Sequence, residues 1–162
     1  MTAAATAQRA TITIERRYRA SIGDVWDLWT TKDGFESWWG PQGFRAEVSE
    51  LDARVGGALR YEMIADTPDM IAAMQRLGQP PSHATSARFT ELRPRERLLI
   101  TNVIDFIPGV ASYESHIAVD FAVEGGQVRM SVTLDAMHSE AMTRMQEQGF
   151  TSQLSKLDAR FT

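Results

Sequence analysis

Gly125-Gly126 constrains this chain more than any other pair of residues. Two alternating runs flank it, 113–124 and 127–137, and a double glycine between such runs specifies a two-residue hairpin turn. Read literally, the turn pairs Val123 with Val128, Phe121 with Met130, Val119 with Val132, Ile117 with Leu134 and Tyr113 with His138. All these apolar residues then share one face, while His116 against Asp135 and Asp120 against Ser131 occupy the other. A slip of one residue would exchange the two faces, so the register is set. A sheet with one dry side needs a cover. Ser139 is placed to cap a closing helix running to Phe161, whose Met142, Met145, Gly149, Leu154, Leu157 and Phe161 recur every three to five residues, with Phe150 beside Gly149.

The rest of the chain leads up to that hairpin. Ile12 and Ile14 alternate against threonines over Thr11–Arg19, a strand pattern. Ser21 and Asp24 open a helix that sets Ile22, Val25, Trp26 and Trp29 on one face, and a second short helix spans about Lys32–Trp38. Then comes a pivot. Trp38-Trp39-Gly40-Pro41-Gln42-Gly43-Phe44 crowds large aromatics against a helix-stopping Gly-Pro, and Asp52-Ala53-Arg54-Val55-Gly56-Gly57 ends a strand in a tight turn. Strands follow over Phe44–Leu51, Ala58–Ala65, His83–Arg93, Leu98–Asp105, Tyr113–Glu124 and Gln127–Met137. Between the second and third lies an insertion, residues 66–81. Asp66 or Thr67 caps it, Pro68 suits the first helical position and Gly78 the stop, which predicts a lid helix with an apolar stripe of Met70, Met74 and Leu77.

At 162 residues the chain suits one domain over 10–162 behind a flexible tail, 1–9. A net charge of -4 and a pI near 5.4 argue against nucleic acid and anionic membrane surfaces. The absence of cysteine excludes disulfides, zinc-thiolate sites and thiol nucleophiles. No apolar run is long enough to insert in a bilayer and residues 1–10 lack a signal-like core, so a cytoplasmic location is expected.

Val25-Trp26, Trp38-Trp39-Gly40-Pro41, Gly43-Phe44, Asp52-Ala53-Arg54-Val55-Gly56-Gly57 and Gly149-Phe150 occur in the order seen in the START-like, or SRPBCC, superfamily. The chain resembles in particular the branch related to the activator of the heat-shock chaperone ATPase, over about residues 10–160. The family often has Gly-Trp where this chain has Gly149-Phe150, and the 66–81 insertion is longer than in many members. The resemblance implies an α+β helix-grip fold: a curved antiparallel sheet wrapped around a long C-terminal helix, two short helices after the first strand, and a hydrophobic cavity between sheet and helix.

Few residues suggest chemistry. His138, beside Tyr113 on the dry face, can orient a polar group or move a proton, or be a histidine satisfied at a strand end. His116 and Asp135 read as a surface pair, His83 as a solvated loop residue, and Arg54 as a brace for Asp52 or nearby carbonyls. No spacing of histidines and carboxylates matches a metal site, no phosphate loop follows a strand, and no nucleophile elbow is present, so neither metal nor cofactor is expected. Methionines are adaptable linings. Met63, Met74, Met130, Met142 and Met145, with Trp39, Tyr61, Phe89, Thr101, Tyr113, Ile117, Val132, Leu134, His138 and Phe150, make the candidate cavity wall.

Two functions fit. In the first, a small apolar or amphipathic molecule is held between sheet and closing helix, with Tyr61, Tyr113, Thr101 and His138 orienting its polar group. In the second, a cyclase- or aromatase-like enzyme uses His138 and Tyr113 for proton transfer on a polyketide-like chain. A third reading, a chaperone-regulating interaction module, suits the family's name but ranks below these two, because no second domain is expected with which to bridge a large partner. An exposed strand is compatible with a homodimer without requiring one.

Overall fold

The computed structural model describes residues 10–104 and 108–161; the expected tail, 1–9, and Asp105 at the end of one expected strand lie outside them. Seven strands form one antiparallel sheet: β1 (Thr11–Tyr18), β2 (Phe44–Leu51), β3 (Ala58–Ala65), β4 (Ser82–Arg93), β5 (Arg97–Ile104), β6 (Tyr113–Glu124) and β7 (Gln127–Asp135). Their spatial order is β1-β7-β6-β5-β4-β3-β2. Helices α1 (Ile22–Thr30) and α2 (Lys32–Glu36) follow β1, α3 (Pro68–Arg76) fills the insertion, and α4 (Glu140–Arg160) closes the chain. The curled sheet gripping a terminal helix is the helix-grip fold.

The β6–β7 hairpin has the register set by its glycines, from Glu124 opposite Gln127 to Ile117 opposite Leu134. Both glycines have positive φ, +55° and +83°, which a primed hairpin turn requires. Ser21, Thr67 and Ser139 each accept a backbone N–H as helix N-caps, and Thr31 does so for α2. Helix α2 is shorter than its pattern suggested, ending at Glu36 and leaving Trp38 and Trp39 to the turn that follows. The stripe on α3 also differs: Met70, Ile71 and Met74 are half-buried, whereas Leu77 is 72% exposed. It lies beyond the last turn of α3, just before Gly78 at φ +70°.

The core gathers on the inner face of the sheet, where Leu59, Phe89, Ile100, Val119, Val132 and Leu134 are buried. Trp29, Trp38, Trp39 and Phe150 join it as a ring cluster, with centroids 5.0–6.5 Å apart. Trp38 Nε1 donates to the Leu28 carbonyl at 2.8 Å, and Trp29 Nε1 points at Met130 Sδ, 3.3 Å away. The Gly-Pro segment is fastened to α4 by polar bonds. Gly40 N–H donates to Gln153 Oε1 at 2.7 Å, Gln42 N–H to Ser152 Oγ at 2.9 Å, and Lys156 Nζ to the Phe44 carbonyl at 2.9 Å. Burial pushes the Lys156 ammonium down from its ordinary pKa, partly opposed by Asp66.

Strand β1 is tied to α4 by Tyr18, whose buried phenol donates to Asp158 at 3.0 Å. Burial first, then this bond to a carboxylate, raises the phenol's pKa above its ordinary 10. Above pH 10 the unfolded chain therefore releases this proton while the folded chain keeps it, so stability falls as pH rises. The expected slope is about 1.4 kcal/mol per pH unit for such a group. Urea denaturation at stepped alkaline pH should show that fall, and Tyr18→Phe should flatten it; an equal slope in the variant would assign the alkaline loss to other groups.

Candidate functional site

The second half of α4 joins the hydrophobic core. Phe150, Leu154 and Leu157 are buried against the sheet, and Phe89, Met130, Val132 and Leu134 are fully enclosed, with Ile117 nearly so. These residues and Trp39 form packed core, where the sequence had suggested cavity wall. Met63 is half-buried, its Sδ 3.0 Å from where a Cβ on Gly40 would lie. Met142 is half-buried. Met145, expected on the inward stripe of the helix, instead faces solvent at 62% exposure.

Tyr113 and His138 do meet: the phenol oxygen lies 2.9 Å from His138 Nδ1 and 3.8 Å from Met137 Sδ. His138 is exposed, so the pair stands at the rim of the fold rather than inside an enclosed space. His116 Nδ1 lies 2.7 Å from Asp135 Oδ2 on the outer face, a cross-strand surface pair. Arg54 Nε donates to Asp52 at 2.6 Å, bracing the turn. Among the described residues no three His, Asp or Glu side chains converge as a metal site requires.

A cleft of about 1080 Å³ lies along the first half of β4. Met74, Gln79 and Pro80 of the insertion form one end, β4 residues 83–88 its floor, and parts of β3 (Ala58, Arg60, Tyr61) and β5 (101–104) its flanks. Consecutive residues of β4 and β5 line it, so strand backbone as well as side chains meets whatever it holds. Of the residues marked from sequence, Tyr61, Met74 and Thr101 line it. Tyr61 is half-buried; burial raises its phenol pKa, partly offset by hydrogen bonds with the Trp39 indole and the Thr85 hydroxyl.

Thr101 lies on the other face from Tyr113, with which it was expected to act. It pairs with His116 on one side and Arg88 on the other, which puts it on the outer face. Its hydroxyl lies 2.7 Å from that of Thr90. His83 is exposed, as expected, but it stands on a strand opposite Met63 rather than in a loop. Arg60, Arg88 and Asn102 also line the cleft, and no local signal in the sequence singles them out. A smaller groove of about 480 Å³ adjoins the cleft over β2–β4 and is lined by Glu47, Arg60 and Glu62 among others.

Residues 19–162 match the family described as Activator of Hsp90 ATPase homolog 1-like protein. The chain belongs to that family. Similar solved structures agree on the fold. A crystal structure from Chromobacterium violaceum is 25% identical, with a TM-score of 0.74 over 93% of this chain and 96% of the other. The AHSA1 protein of Silicibacter pomeroyi is 20% identical with a TM-score of 0.71, covering 93% and 96%. A solution structure from Arthrobacter aurescens is 21% identical with a TM-score of 0.72, covering 92% and 84%. Comparison with curated proteins gives no match. Among the described residues, no helix of this family member is long and apolar enough to cross a membrane.

Proposed function

We propose that the protein binds a small amphipathic molecule in the cleft between the insertion and strands β3–β5. The cleft itself carries this reading: about 1080 Å³ is slightly above the usual range of roughly 300–1,000 Å³ for a small-molecule site. Its lining mixes Met74, Pro80, Val103 and Ile104 with Tyr61, Thr85 and Asn102, apolar surface with a few polar groups to orient a ligand. The expected place for the ligand thus moves from beneath α4 to beside α3. The proton-transfer alternative has the 2.9 Å bond between Tyr113 and His138 in its favour, but that exposed pair gives a substrate no shelter from water.

Titrating isotope-labelled protein with dodecan-1-ol and with dodecanoate, each below its aggregation concentration, should move amide resonances of Tyr61, 83–88 and 101–104. Met74→Asp, which sets a carboxylate against the tail, should weaken binding at least about tenfold with the fold intact. Shifts confined to Tyr113, His138 and Met142 would put the ligand under α4 instead; no shifts with either probe would reject the reading.

A further inference from the structure

The cleft is not uniform along its length. Its basic lining residues are Arg60, His83 and Arg88, with no Asp or Glu lining the cleft beside them, in a chain whose net charge is -4. Register shows how they are arranged. Ala58, Arg88 and Thr101 form one row across β3, β4 and β5, and Arg60 sits opposite Ser86 two residues further on. Arg60, Ser86, Arg88 and Thr101 therefore share the outer face, guanidinium beside hydroxyl. His83, at the far end, is five residues from Arg88, about 17 Å along an extended strand. Around that end stand Met74 and Pro80, and Val103 of β5, two residues past Thr101, shares its outer face.

The neighbouring charges decide which arginine matters. Arg60 Nη1 is paired with Glu50 Oε1 at 3.0 Å, and Glu47 and Glu62 line the adjoining groove, so its charge is largely answered. Arg88 forms no ion pair among the described residues, and its planar fork suits a carboxylate or phosphate. A neutral ligand would leave this guanidinium to solvent, whereas an anion would engage it with the Ser86 and Thr101 rows alongside.

Building on the ligand-binding reading above, we infer that the cleft takes an amphiphile with an anionic head, a carboxylate or a phosphate. The head sits at Arg88, and the tail runs along β4 toward Met74 and Pro80.

Calorimetric titration with dodecanoate, dodecyl phosphate, dodecan-1-ol and dodecyltrimethylammonium, at low and high ionic strength, tests this. The two anions should bind at least about tenfold more tightly than the alcohol, and the cation most weakly; added salt should narrow the gap, since an exposed charge contact is screened. Whichever anion binds more tightly identifies the head. Arg88→Gln, an exposed change, should bring the anions to the alcohol's affinity and leave the alcohol as it was. If the alcohol binds as well as the anions, or Arg88→Gln weakens all probes alike, the anionic head is overturned and amphiphile binding stands. If no probe binds, both fall.

Discussion

Gly57→Ala should destabilise the protein by at least about 3 kcal/mol, while its neighbour Gly56→Ala should cost only about 1–2 kcal/mol. The two glycines do different work. Gly56 has φ +86°, and a Cβ there would meet nothing within 4 Å, so alanine suffers only the left-handed backbone penalty. A Cβ on Gly57 would fall 1.9 Å from the Asp52 carbonyl oxygen and 3.0 Å from that of Arg54. Both obstacles are backbone, with no flexible side chain to swing aside. Relief requires opening the loop, which is held by Asp52 N–H to the Ala58 carbonyl at 2.9 Å, Gly57 N–H to Arg54 at 2.8 Å and Gly56 N–H to Phe89 at 2.7 Å. Losing two such bonds adds about 0.5–1.5 kcal/mol each. Urea denaturation of the two variants side by side is the measurement. Equal, small losses would show that the loop adapts and that the tight approach to Asp52 is not what requires glycine.

The fold was legible where local signals agreed with one another. Gly125-Gly126 gave the β6–β7 register because alternation on both sides permits only one pairing, and Ser21, Thr67 with Pro68, and Ser139 marked helix starts through a capping chemistry that needs no tertiary information. The site was harder. Leu98-Leu99-Ile100 are three successive apolar residues, so alternation in β5 is lost and Thr101 could be assigned to either face. The irregularity between Phe89 and Glu91 also breaks the count along β4. Arg88 and Asn102 look like ordinary strand residues in the sequence; only the alignment of three strands with the insertion collects them around one cleft. Met130 and Met145 show the same limit. Side-chain chemistry marked both as adaptable lining, yet one is sealed beneath Trp29 and the other faces water, a difference set by helix rotation and sheet curl rather than by residue type.

Trp38→Ala should cost about 3–5 kcal/mol, a large part of the 5–15 kcal/mol by which a domain is usually stable. Trp38 is 1% exposed and sits where three elements meet. Its ring centroid is 5.0 Å from Trp29 of α1, 5.1 Å from Trp39 and 6.5 Å from Phe150 of α4. Alanine would leave a cavity among rigid rings that cannot collapse into it, and would also leave the Leu28 carbonyl without its 2.8 Å indole donor. Trp38→Phe separates these effects. It refills much of the space but not the hydrogen bond, so it should recover more than half of the loss. The surrounding segment is also pinned to Gln153, Ser152 and Lys156 of α4, so the weakened cluster should loosen that helix first. Hydrogen exchange in Trp38→Ala should therefore accelerate in α4 and α1 before the β6–β7 hairpin. Uniform acceleration across all three would mean that the sheet and helix unfold as one unit, and that the tryptophan cluster is not the joint between them.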